Sequence, residues 1–133
     1  MLRSFSDIKH AIYINLDSRR ARRDLFERQM EDLHRLHPSD FSFYPVSRFS
    51  AISNKEHGAI GCSKSHLECL KMAKLNSWEH VLIFEDDALF IHTEVLIHQV
   101  NSFLSRFNDQ WDVLLLSGNN FPPFKWNRLT VFG

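Results

Sequence analysis

The chain has 133 residues, and its 16 Lys and Arg are balanced by 16 Asp and Glu, so its formal net charge is zero. Hydrophobic residues make up 44% and charged residues 24% of it, which excludes a disordered or fibrous protein. Zero net charge also argues against nucleic acid as a partner, because binding to phosphate backbones requires a basic surface. The length predicts a single domain over residues 1–133.

Strands and helices alternate along the sequence. We predict strands over 11–16, 41–46 (an edge strand), 80–84, 112–116 and 129–132. Three helices lie between them. The first is capped by Asp17 or Ser18 and ends at Pro38, the second runs from a capping box at Ser53 and Glu56 to about Asn76, and the third runs from a Thr93 cap to about Phe107. The strands lack polar alternation, which is typical of strands covered on both faces. This order predicts an α/β fold with a mainly parallel sheet flanked by helices.

Helical spacing of apolar residues predicts which side of each helix is buried. The residues expected to face inward are Leu25, Phe26, Met30, Leu33 and Leu36 in the first helix, and Ile60, Leu67, Leu70 and Ala73 in the second. Cys62 and Cys69 share the second helix at a separation of about 10 Å, which is too far for a disulfide. We therefore expect free thiols and a reducing compartment. The absence of a signal peptide or an apolar membrane-spanning run predicts a cytoplasmic protein.

Three consecutive carboxylates, Glu85, Asp86 and Asp87, follow directly after the apolar strand residues 81–84. If the chain stays extended, Glu85 and Asp87 point to the same side. A divalent cation such as Mg²⁺ or Mn²⁺ would relieve the repulsion between these charges at the end of a buried strand, where open α/β sheets bind ligands. The alternative is that the acids cap the next segment or are solvated.

A cluster of arginines opens the first helix, at positions Arg19, Arg20, Arg22 and Arg23. Cations oppose the dipole at a helix N-terminus, and a bound phosphate would offset that cost. Composition alone favours a different interpretation, in which the arginines form a solvated face paired with acidic residues of the same helix, namely Asp24, Glu27 and Glu31.

A third candidate segment contains Gly58, Gly61, Cys62, Ser65 and His66. Its glycines permit close approach of the backbone to a ligand or a neighbouring segment. Ser65 and His66 are adjacent on a helix and therefore do not face each other as a nucleophile and base would. By residue type alone, His66 is more often a hydrogen-bonding side chain and Cys62 a small core residue. The eight histidines form no standard zinc motif, and the sequence has no phosphate-loop or dinucleotide fingerprint.

In this order, the segments resemble glycosyltransferase family 25, which includes bacterial lipooligosaccharide galactosyltransferases and collagen hydroxylysine galactosyltransferases. The resemblance extends over residues 12–118 and rests on four matches: Ile14-Asn15-Leu16 with its arginines, Gly58-x-x-Gly61-Cys62-x-x-Ser65-His66, Glu85-Asp86-Asp87, and Trp111-Asp112 before an apolar run.

The resemblance implies a GT-A-like, Rossmann-like domain that binds a UDP-hexose donor, of galactose or glucose, with Mn²⁺ or Mg²⁺. It also implies an inverting transfer of the sugar to a hydroxyl of a glycan or glycoprotein acceptor. Transferred to this chain, the metal ligands would be Asp87 and Glu85, and Asp86 would help to place the ribose or sugar. The nucleotide side would be lined by Asn15, Arg19, Arg22 and Arg23, and the donor pocket would be supported by Ser65 and His66.

Members of the family continue into a second half that holds the acceptor and the candidate base, so we expect this chain to be a truncated, donor-binding part. An exposed sheet edge and apolar surface would then predict a homo-oligomer or poor solubility. One alternative is a non-catalytic or degenerate module that binds nucleotide-sugars. A weaker alternative is a metal-dependent phosphohydrolase, which the missing Asp-x-Asp-x-Thr pattern disfavours, since Leu89 and Phe90 follow Ala88.

Overall fold

The computed structural model describes residues 1–117. In chain order, the elements are a short 3₁₀ turn (Phe5–Asp7), β1 (Ala11–Asn15), α1 (Arg20–Leu36), β2 (Ser47–Ser50), α2 (Gly58–Leu75), β3 (Leu82–Glu85) and α3 (Thr93–Phe107). One compact unit spans Ile8–Leu89, and the other combines Met1–Asp7 with the chain from Phe90 onward. The strands and the first two helices all belong to the unit Ile8–Leu89.

The three strands form one parallel sheet in the order β2-β1-β3. All five residues of the central strand β1 are buried. Because side chains alternate along a strand, Ile12 and Ile14 face one side, where they cluster with Cys69 of α2. On the other side Tyr13 stacks on Phe26 of α1, with ring centroids 4.5 Å apart. The predicted α/β fold, with a parallel sheet flanked by helices, is therefore confirmed.

Helix α1 follows its apolar pattern only in part. Phe26, Met30 and Leu33 are buried as predicted, whereas Leu25 and Leu36 are exposed. The predicted cap was also wrong, because α1 begins after Arg19 and no side chain caps it. Asp17, one of the expected caps, accepts hydrogen bonds from Arg48 and Ser50 instead.

Helix α2 buries a different face from the one its large residues predict. Ile60, Leu67 and Leu70 are 42%, 50% and 53% exposed. The residues buried on α2 are instead the small ones, Gly61, Ser65, Cys69 and Ala73, of which only Ala73 was predicted. Small side chains allow the helix axis to lie close to its neighbours, and the leucines then project outward.

The predicted capping box at Ser53 and Glu56 was wrong as well, because α2 begins at Gly58. The side-chain oxygen of Asn54 accepts hydrogen bonds from the backbone N–H groups of Glu56 and His57, at 3.1 and 3.0 Å. Asn readily forms local turns of this kind, and the turn delays the start of the helix.

Two predicted strands are absent from the described residues. Residues 41–46 form a turn with Phe41 and Phe43 buried, and the strand begins after Pro45, which has no N–H group for a ladder. Residues 112–116 join no ladder, and Val113 and Leu115 are 76% and 68% exposed. The strand predicted over 129–132 lies outside the described residues.

In the second unit, the 3₁₀ turn and α3 are linked by a hydrogen bond of 2.7 Å from the Phe5 N–H to the side-chain oxygen of Asn101. Helix α3 has the predicted bounds, although His92 rather than Thr93 is its N-cap. Within residues 1–117, no helix has both the length and the apolar composition needed to cross a membrane. Both cysteines are free thiols, as predicted.

Candidate functional site

The candidate residues meet at the carboxyl edge of the sheet. In a parallel sheet all strands end on the same edge, and the pairing places Asn15 of β1 beside Ser50 of β2, and Ile14 beside Glu85 of β3. The chain runs from β1 to β2 on one side and reaches β3 on the other, so the strand order reverses between β1 and β3. Open α/β sheets bind ligands in the crevice at such a point.

Asn15 connects three segments at this edge. Its side-chain amide donates to the Asp86 carboxylate at 2.7 Å and to the backbone oxygen of Arg19 at 3.1 Å. Its side-chain oxygen accepts a hydrogen bond of 3.0 Å from Nε of Arg48. Asn15 is only 1% exposed. Its polar atoms are thus engaged in positioning Asp86 and the start of α1, and its predicted contact with a nucleotide stays a prediction.

Arg48 is a member of the site that the sequence reasoning missed. Besides its bond to the Asn15 side chain, it donates to the Asn15 backbone oxygen at 3.0 Å and to Asp17 at 2.6 Å. The hydrogen bonds from Arg48 and then from Ser50 hold the pKa of Asp17 below its ordinary value. The sequence carried no usable signal for Arg48, because the second strand was predicted six residues too early.

The arginine cluster divides into different environments. Arg22 lies 3.5 Å from the Asp86 carboxylate, which places it at the strand end. Arg23 pairs with Glu27 at 3.2 Å on the same helix, which is the solvated pairing given above as the alternative. Arg19 and Arg20 are exposed and form no ion pair within residues 1–117. Arg22 is therefore the member of the cluster whose side chain the structure places beside Asp86.

The acidic triplet does not continue the strand. β3 ends at Glu85, and Asp86 and Asp87 lie in a turn closed by a 3.0 Å bond from the Ala88 N–H to the Glu85 oxygen. The expectation that alternation would put Glu85 and Asp87 on the same side therefore does not apply. The Asp86 side chain is 11% exposed and tied to Asn15 and Arg22, whereas Glu85 and Asp87 are exposed.

Glu85 contacts two side chains of α2. One carboxylate oxygen, Oε1, accepts a hydrogen bond from the Cys62 thiol at 3.2 Å and lies 3.2 Å from Nε2 of His66. The hydrogen bond from Cys62 lowers the pKa of Glu85 most, and His66 adds to this effect, while burial acts in the opposite direction. Cys62 is therefore part of the candidate site rather than of the core. The spacing of four residues between Cys62 and His66, on a predicted helix, was a signal that could have indicated this.

Ser65 has a structural place behind the site. It is fully buried, and its hydroxyl donates to the Gly61 backbone oxygen and accepts from the Ile52 N–H, both at 2.9 Å. These bonds attach the first turn of α2 to the segment that follows β2. Ser65 thereby holds Cys62 and His66 in position, and its predicted role of supporting a donor pocket stays a prediction.

Comparison with protein families fits this arrangement. The sequence profile of glycosyltransferase family 25, described as LPS biosynthesis protein, matches residues 56–125, just over half of the chain. The chain belongs to glycosyltransferase family 25. The match covers the Gly-x-x-Gly-Cys-x-x-Ser-His segment and the acidic triplet, so the resemblance stated from the sequence is confirmed. No curated protein and no solved structure gives a significant match.

Membership of family 25 indicates a glycosyltransferase of LPS biosynthesis, which acts with a sugar donor and a glycan acceptor. The profile begins at Glu56, after β1 and β2. Asn15, which donates to Asp86, and Arg48, which donates to Asn15, thus lie outside the matched residues. Their connection with the family motif comes from the structure.

Proposed function

We propose that this family 25 chain forms the donor-binding part of a metal-dependent, inverting hexosyltransferase that uses a UDP-sugar, of galactose or glucose, and an acceptor hydroxyl. The observation that carries the proposal is the arrangement at the carboxyl edge of the sheet. There the acidic triplet, Arg22 and the start of α1 lie around the Asn15–Asp86 hydrogen bond. A nucleotide diphosphate is bound by cationic side chains and by a divalent cation. At this edge Arg22 is such a cationic side chain, and the carboxylates of the acidic triplet are ligands for the divalent cation.

The side chains present fit a hard divalent cation such as Mn²⁺ or Mg²⁺. Glu85 and Asp87 are exposed carboxylates at the strand end, and oxygen is the ligand that such ions prefer. These two residues would hold the ion, whereas Asp86 is tied to Asn15 and Arg22 and would orient the ribose or sugar. When bound, the cation supplies neutralisation of the negative charge that develops on a departing diphosphate.

The residues of the chain would then act by binding and orientation. Arg22 and Arg19 would attract the diphosphate, because guanidinium groups present several donors to phosphate oxygens. The hydrogen bonds of Asn15 keep Asp86 in one orientation before a donor arrives, which reduces the entropy lost on binding.

Isothermal titration of the chain with UDP, with and without Mn²⁺, tests the proposal. We expect UDP binding to depend on Mn²⁺ and to weaken at least about tenfold in Asp87→Asn, because a ligand of the cation is lost. Glu31→Gln removes an exposed carboxylate from α1 and serves as the matched control, which should bind UDP as the wild type does. A folded wild type that binds UDP no better with Mn²⁺ than without would contradict the proposal.

Transfer is tested separately from binding. Release of UDP from UDP-galactose or UDP-glucose in the presence of an acceptor would support a transferase. Metal-dependent binding with no release of UDP would instead support the alternative function, a non-catalytic module that binds nucleotide-sugars.

A further inference from the structure

Cys62, His66 and Glu85 form a cluster of three different metal-binding groups. The thiol sulfur, the imidazole Nε2 and a carboxylate oxygen all lie within 4.8 Å of one another. Two of these separations, from the Glu85 oxygen to the sulfur and to the nitrogen, are 3.2 Å. Cys62 and His66 are one turn apart on α2, and Glu85 ends β3. Regular elements therefore hold all three ligands.

These separations are close to those of a tetrahedral zinc site. Zn²⁺ binds sulfur at about 2.3 Å and nitrogen or oxygen at about 2.0 Å, so neighbouring ligands of one ion lie roughly 3.3 to 3.6 Å apart. The two 3.2 Å separations need almost no change. The remaining separation, between Cys62 and His66, is at most 4.8 Å, so metal binding would require the imidazole, whose side chain is 38% exposed, to move towards the sulfur.

The chemistry of this ligand set differs from that of the acidic triplet. A thiolate and an imidazole favour Zn²⁺ over Mn²⁺ or Mg²⁺, because these soft and intermediate ligands bind the later transition metals more tightly.

We propose that Cys62, His66 and Glu85 bind one Zn²⁺ ion, with the fourth position open to water. On binding, the Cys62 thiol loses its proton to solvent, the thiolate sulfur forms a bond to zinc, and no oxidation or reduction takes place. The hydrogen bond from the thiol to Glu85 is replaced by coordination of both groups to the metal. This site shares Glu85 with the cation site of the proposed function, so the Glu85 carboxylate would serve either Zn²⁺ beside Cys62 and His66 or the donor-binding cation beside Asp87. The zinc site itself goes beyond the proposed function, and its test does not depend on that function because it requires no nucleotide.

Titration of the reduced, nucleotide-free chain with Co²⁺ tests the site, because Co²⁺ takes the same geometry as Zn²⁺ and reports thiolate ligands by absorbance. We expect a thiolate-to-cobalt charge-transfer band that saturates at one Co²⁺ per chain. The band should disappear when Zn²⁺ is added and displaces the Co²⁺. Cys62→Ser should abolish the band, and the remaining Cys69 is an internal control. His66→Ala should weaken affinity at least about tenfold, whereas His57→Ala, an exposed histidine at the N-cap of α2, should not.

The proposal is overturned if the wild type shows no charge-transfer band, if the band persists in Cys62→Ser, or if His66→Ala and His57→Ala bind Co²⁺ equally well. Circular dichroism verifies that each variant is folded. If Cys62→Ser does not fold, alkylation of the wild type decides: Zn²⁺ should slow modification of Cys62 at least about tenfold without changing Cys69, and unchanged rates refute the site. UDP is absent throughout, so this result is independent of whether the chain binds a nucleotide.

Discussion

At Gly61 the addition of a single methyl group, in Gly61→Ala, should clearly lower the stability of the fold. A Cβ atom added there would lie 2.5 Å from the backbone oxygen of Ile52 and 3.1 Å from the N–H nitrogen of Asn54. No glycine among the described residues has a positive φ. Gly61 is therefore required for space, because α2 packs directly against the backbone that follows β2.

The change in the free energy of unfolding expected for Gly61→Ala is the sum of opposing contributions. Ordinary contact begins at 3.4 Å, so the helix or the Ile52 segment must retreat by about 0.9 Å. Overpacking of this kind costs about 1–3 kcal/mol, and the movement weakens the hydrogen bond between the Ile52 N–H and Ser65, worth about 1 kcal/mol. The higher helix propensity of Ala returns about 0.5–1 kcal/mol. We expect a net loss of about 1–3 kcal/mol in the free energy of unfolding.

Urea unfolding followed by circular dichroism measures this loss. The matched control is Gly58→Ala, one turn earlier on α2, where an added Cβ has no atom within 4 Å. We expect Gly61→Ala to lower the urea midpoint by about 1 M and Gly58→Ala to leave it unchanged or raise it slightly. Equal midpoints for the two variants would refute the argument that Gly61 is selected by its contact with Ile52.

Three further predictions concern single side chains. Asn15→Ala should lower the unfolding free energy by about 2–3 kcal/mol, because it leaves Asp86 and its other partners without their buried amide; a thermal melt with a loss below about 0.5 kcal/mol would contradict this. Tyr13→Phe should cost about 1 kcal/mol at pH 7. Since the hydrogen bond from Tyr13 is the main reason that the pKa of Glu27 lies below its ordinary value of 4.5, this stabilisation is present above pH 4.5 and lost as the pH falls through the lower folded pKa. Urea titrations from pH 7 to pH 3 should therefore show the difference from wild type narrowing, and a constant difference would argue against the Glu27 contact. Ser77→Gly should raise the melting temperature, with a gain of about 0.5–1 kcal/mol, because Ser77 has a φ of 55° after α2, where glycine avoids the steric cost; an unchanged or lower melting temperature would count against it.

Local patterns in the sequence were sufficient for much of the fold. The apolar run 11–16 predicted β1, and the acidic triplet after 81–84 marked the end of β3. Burial on both faces of β1 also followed from its composition, because a strand with no polar alternation must be covered on both sides. The position of the acidic residues at the carboxyl edge of the sheet was also predictable, because the triplet directly follows an apolar strand and parallel strands end at the same edge.

Other features depended on packing that no local pattern reports. The face that α2 buries carries small residues, because Gly61 lets the helix contact the Ile52 backbone, and the leucines expected to face inward are exposed. Periodicity alone could not separate these two faces. β2 began after Pro45 rather than before it, so the role of Arg48 could not be anticipated.

The sequence by itself determined the α/β class, the alternation of elements and the acidic strand end, because these follow from the properties of neighbouring residues. Only the tertiary structure decided which distant side chains meet. Asn15 and Asp86 are 71 residues apart in sequence, and Cys62 and Glu85 are 23 apart. Such pairs depend on how the strands align and on how closely each helix packs, and these quantities are set by the whole core rather than by any one segment.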